Sequence, residues 1–82
     1  MHFSYKTHGT CSSAIEFNLT DGIVTGVSFR GGCHGNLQGI SKLVEGCSAQ
    51  EVIRRLRGIR CGFKPTSCPD QLASALAEAL NQ

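Results

Sequence analysis

No stretch of this sequence approaches the ~18 consecutive apolar residues of a membrane span, and Met1-His2-Phe3-Ser4-Tyr5-Lys6 lacks the basic-then-apolar pattern of a secretory leader. A cytosolic chain with no membrane partner is therefore expected. Charge of one sign is equally scarce. Eight Lys and Arg against six Asp and Glu give +2 at pH 7, with 17% charged and 40% hydrophobic residues. That is a globular balance, and it argues against nucleic acid as a partner. No internal repeat, linker or low-complexity run is present. No C-x-x-C pair occurs either, since Cys11, Cys33, Cys47, Cys61 and Cys68 are spaced by 22, 14, 14 and 7. The local zinc-knuckle signature is absent, and any shared cysteine site must be assembled by the fold. Neither G-x-x-x-x-G-K-[ST] nor G-x-G-x-x-G can be found.

What is present fits one small domain over residues 1–82. A chain of this length buries only about 60–65% of the surface of its unfolded form, so metal, disulfides or a homodimer interface would add to a thin margin. Five cysteines is an odd number, and in a reducing cytosol they are core residues, metal ligands or redox groups rather than a disulfide framework.

The first third alternates with period two: Phe3, Tyr5 and Thr7; Ile15, Phe17 and Leu19; Ile23, Thr25, Val27 and Phe29. Three strands are expected, the last two joined by a tight turn at Asp21-Gly22, with a loop from His8 to Ser13. Beyond Gly31-Gly32 the period lengthens. Leu37, Ile40, Leu43, Val44 and Cys47 form one helical stripe, stopped at Gly46. Ser48 and Glu51 spell a capping box before a second stripe of Val52, Ile53, Leu56 and Ile59. Ser67-Cys68-Pro69-Asp70 opens a third helix, with Leu72, Leu76, Ala79 and Leu80 as its buried face. The expectation is an α+β domain: a three-stranded antiparallel sheet within residues 1–30, then three helices within 34–80 packed on one face, in the order βββααα.

Cys33 follows Gly-Gly at a strand end, and Cys68 opens a helix. Both stand at helix N-termini, where unpaired N–H groups and the dipole favour the thiolate. Cys61 lies on a connection long enough to fold back toward Cys68, and Cys11 sits at one end of the sheet. If the third strand stops at that end, Cys11, Cys33, Cys61 and Cys68 converge. Cys47, on an apolar stripe, reads as core. His34 ranks below the thiols as a ligand or base, and His2 and His8 carry no signal. Gly31, Gly32, Gly35 and Asn36 belong to a glycine-rich turn that could cradle an anion with its N–H groups. Arg54, Arg55, Arg57, Arg60 and Lys64 read as a solvated, charged face.

Thr66-Ser67-Cys68-Pro69-Asp70 resembles the motif that names the TSCPD domain family. Gly32-Cys33, Leu56-Arg57-Gly58-Ile59-Arg60-Cys61 and Gln71-Leu72-Ala73 extend the likeness over essentially the whole chain. That family includes small stand-alone proteins and a C-terminal portion of adenosylcobalamin-dependent ribonucleotide reductases. The resemblance therefore implies a reductase, or another redox protein, as partner, although this chain is too short to hold a reductase barrel itself. A looser likeness is to iron–sulfur scaffold proteins of the NifU N-terminal type (a NifU/SufE-like fold), matching Cys11, Cys33 and Cys68. Ser13 and Ser67 stand where that pattern has Asp and His.

Three functions stay open at this level. The first is a module holding zinc or an iron–sulfur cluster through Cys11, Cys33, Cys61 and Cys68, since four thiolates suit either. The second is a thiol redox protein cycling a dithiol and a disulfide. The third is a binding module that takes a flavin or nucleotide on the turn at 31–36.

Overall fold

The computed structural model describes residues 1–32 and 34–81. Three strands, β1 (His2–Lys6), β2 (Ser12–Thr20) and β3 (Ile23–Gly31), are followed by three helices, α1 (His34–Val44), α2 (Ala49–Leu56) and α3 (Cys68–Leu80). The sheet is antiparallel throughout, in the order β1-β2-β3, so the α+β architecture expected from the sequence is the one observed.

Asp21 and Gly22 both adopt positive φ, 51° and 78°, which is the twist a two-residue hairpin turn needs. Past the turn, the simple alternation of β3 fails. Glu16 pairs with Ser28 but Asn18 pairs with Thr25, so Gly26 and Val27 together oppose Phe17 as a bulge. The extra residue reverses the inward phase. Val24 and Val27 are buried, whereas Ile23, expected to point inward with Thr25, is exposed.

One sheet face carries Phe3, Tyr5, Ile15, Phe17, Val24 and Val27 toward the helices, with Phe3 and Phe17 stacked at 5.6 Å between ring centres. The opposite face is polar, with His2 and Arg30 both at Glu16. Helix α1 lies on β3, while α3 packs along α2 and reaches β2. Val44, Ala49, Val52, Leu72, Ala75 and Leu76 close the core from the helix side.

Three expected core positions are on the surface instead. Leu43 is 80% exposed, because Leu37, Ile40 and Val44 already fill the α1 stripe, and Leu80 and Ile59 are exposed as well. Ile59 lies beyond the end of α2 at Leu56. Half of the expected capping box forms: the Ser48 hydroxyl accepts the Glu51 N–H at 3.2 Å. The Glu51 carboxylate goes to Arg54 and Arg55 instead, and these two guanidiniums hold its pKa down at about 2. Among the described residues, no helix is long and apolar enough to cross a membrane.

Candidate functional site

The Thr-Ser-Cys-Pro-Asp segment explains itself residue by residue. Ser67 is the N-cap of α3: its hydroxyl accepts the Asp70 N–H at 3.2 Å and donates to the Ile59 carbonyl at 2.6 Å. Pro69 occupies the first turn, where its missing N–H leaves nothing unpaired. Asp70 accepts from the Gly58 N–H at 2.7 Å and from the Thr66 hydroxyl, which in turn accepts from the Gln71 amide at 3.1 Å. Backbone bonds from Cys61 N–H to the Thr66 carbonyl and from Lys64 N–H to the Cys61 carbonyl close the connection. Four of the five motif residues thus fix the α2–α3 connection to the start of α3. The fifth, Cys68, turns toward the sheet.

Its surroundings come from the other end of the chain. The β1–β2 loop is folded onto the first residue of β2: the hydroxyls of Thr7 and Thr10 donate to the Ser12 carbonyl at 2.6 and 3.1 Å. The His8 N–H donates to Gln71 Oε1 at 3.0 Å, which docks this loop on the first turn of α3. The outcome is a contact between residues 57 positions apart. Cys68 Sγ lies 3.2 Å from Ser12 Oγ and 3.9 Å from Cys11 Sγ. Cys68 is 7% exposed and Cys11 is exposed. Burial pushes the Cys68 thiol up, but hydrogen bonding from Ser12, Thr10 and Cys11 outweighs it and leaves the thiol below its ordinary value.

Gly32 permits this closeness. Its φ of +82° already disfavours a side chain, and a Cβ there would stand 2.9 Å from Leu37 Cδ1 and 3.0 Å from Cys11 Sγ.

A cleft of about 510 Å³ opens beside the sulfur pair, lined by Cys11, Cys61 and Cys68. Leu37, Ile40, Leu43 and Pro69 give it apolar walls, and Lys64 adds a cation. Three of the four cysteines expected to converge therefore share one cleft, while Cys33 lies outside the described residues. Among the described residues, no three His, Cys, Asp or Glu side chains are grouped closely enough to hold a metal ion. Cys47 is half-buried against the core, as its stripe implies.

The glycine-rich segment is divided. Gly31 and Gly32 border a second cleft of about 560 Å³ together with His34, Ser41 and Lys42, whereas Gly35 and Asn36 line the thiol cleft. The expected turn at 31–36 is shorter than anticipated, because α1 has already begun at His34. The positive residues divide too: Arg54 and Arg55 are paired with Glu51 on an exposed helix face, and Lys64 lines the thiol cleft. Ser12 and Thr10 carry no signal in the sequence beyond their turn-like neighbourhood, and Gln71 enters there only through the family likeness.

Asp70 supplies a pH test of this frame. The Thr66 hydroxyl and the Gly58 N–H, opposed by some burial and aided by Arg57 and Arg60, hold its carboxyl below the ordinary aspartate value. A depressed folded-state pKa contributes stability above the unfolded value, and that contribution is lost as pH falls through the folded one. Asp70→Ala should therefore cost about 1–2 kcal/mol at neutral pH and flatten the fall in stability below roughly pH 4. Urea unfolding as a function of pH measures both, and an unchanged acid limb counts against the assignment.

No curated protein and no solved structure matches the chain. The family model described as the TSCPD domain does match, over residues 3–80. With its defining pentapeptide accounted for atom by atom, the chain belongs to the TSCPD domain family.

Proposed function

We propose that this chain is a thiolate metal-binding module, holding zinc or an iron–sulfur cluster at the cleft where Cys11 and Cys68 meet. The observation that carries the reading is their 3.9 Å sulfur separation on a cleft wall that also includes Cys61. Two sulfurs sharing one tetrahedral ion with bonds of about 2.3 Å stand roughly 3.8 Å apart, so the pair fits two coordination positions without rearrangement. Cys61 shares the cleft but does not stand close enough to the pair to ligate as placed, so it would complete the set only by turning its side chain toward them, with Cys33 proposed on its sequence position after Gly32. Bound there, zinc would act as a closed structural staple, and a cluster would carry one electron at a time.

The chain's own contribution lies in preparing the donors. Ser12 and Thr10 stabilise the Cys68 thiolate, the ligating form, and Lys64 partly offsets the charge that several thiolates would accumulate. Leu37 and Ile40 keep that side of the cleft apolar. Protein purified without oxygen should contain zinc, or iron with inorganic sulfide, in a fixed ratio to chain. Elemental analysis and visible absorption measure it, and a colourless, metal-free protein that takes up neither metal on titration would sink the reading.

A further inference from the structure

We infer that, in the chain free of metal, Cys11 and Cys68 are an exchange pair whose substrate is a disulfide, with Cys11 attacking and Cys68 resolving. Contact and burial carry the assignment. The sulfurs are 3.9 Å apart, so the Cys68 sulfur is already beside any sulfur bonded to Cys11. Their accessibility is opposite: Cys11 is exposed, whereas Cys68 is 7% exposed beneath the β1–β2 loop. A substrate larger than water reaches Cys11 first. Room for it exists in the adjoining cleft, where Gly35 and Gly39 of α1 present no side chain and a Cβ on either would touch nothing.

The chemistry balances without a further reactant. The Cys11 thiolate forms a bond to one sulfur of RS–SR and the substrate S–S bond breaks, releasing RS⁻, which is protonated by water. The Cys68 thiolate then bonds to Cys11 Sγ and displaces the second RS⁻. The chain loses two electrons, as a disulfide between Cys11 and Cys68, and the substrate gains them as two thiols. Nothing here rests on metal binding, because the step is defined for the stripped chain.

The probe is oxidised glutathione, added to the full chain after reduction and removal of metal with a strong chelator, at a temperature where far-UV circular dichroism shows the stripped chain folded, with products located by peptide mapping. Wild-type chain should close a Cys11–Cys68 disulfide and release both glutathione halves. Cys68→Ser should trap glutathione on Cys11, and Cys11→Ser should slow glutathione consumption by about tenfold or more. Closure onto Cys61 or Cys33 overturns the inference, as does a persistent mixed disulfide in wild type. Mapping of the wild-type chain decides the pairing even where a serine variant fails to fold. A chain that never binds metal can still pass this test, and one that binds metal well can fail it.

Discussion

Cys68→Ser is expected to abolish metal binding at the proposed site and to destabilise the fold by several kcal/mol. A structural metal supplies on the order of 10 kcal/mol of apparent folding free energy, and a small core has little to set against its loss. Serine isolates the ligand effect, since it nearly matches the thiol in shape and keeps a hydroxyl for Ser12 Oγ, now 3.2 Å from the sulfur. Packing loss alone is therefore slight. Cys47→Ala provides the comparison: Cys47 is half-buried against the core, and its removal should cost roughly 1–2 kcal/mol as an ordinary small cavity. A strong chelator applied to the wild-type chain should reproduce the Cys68→Ser melting curve. If the chelator leaves melting unchanged and Cys68→Ser costs no more than Cys47→Ala, the metal does not hold this fold together.

Leu72→Ala should cost about 2–5 kcal/mol, enough to leave so small a domain largely unfolded at moderate urea. Leu72 is 0% exposed on α3, the helix that meets both α2 and the sheet. The buried alanines beside it on α3, Ala73 and Ala75, are too short to fill the space. Leu43→Ala, the same chemical change at a position 80% exposed, should stay within about 0.5 kcal/mol. Urea midpoints of the two variants measure the difference. Equal losses would mean that α1 presents a different face to the sheet.

That pair of leucines shows where pattern reading succeeds and where it stops. Strand and helix order follow from local chemistry: the Asp21-Gly22 turn, the Ser67 cap and Pro69 each act within a few residues, so they can be read directly. Which residues face inward depends on partners. Leu43 fits a helical stripe on α1, but Leu37, Ile40 and Val44 suffice to cover β3, and the stripe is narrower than its sequence. Likewise Ile23 and Thr25 continue the alternation of Val27 and Phe29 on paper, and the bulge at Gly26 breaks it in space. The candidate site divides in the same way. Cys68 at a helix start is legible because its capping neighbours are adjacent. That Cys11 comes to the same end of the fold follows from the strand order, whereas its contact distance and the approach of Ser12 do not, since they depend on Gln71 receiving the His8 N–H across 63 positions of sequence. Gly32, singled out as part of an anion cradle, has a demonstrable role as the bare spot that lets Cys11 pass.

The connection between α2 and α3 has one further consequence, and it concerns conformational entropy. Ordering a loop residue costs about 1–2 kcal/mol for its backbone, and a binding loop that is free before association charges that cost to the ligand. Here Gly58, Ile59, Cys61 and Lys64 are each tied in place by hydrogen bonds, three of which run to Thr66, Ser67 or Asp70. Whatever meets Cys61 therefore finds a segment whose freedom was surrendered when the chain folded. Side chains that would never touch a ligand at Cys61, the Ser67 hydroxyl and the Asp70 carboxylate, would then govern how tightly it is held while leaving the set of donor atoms unchanged.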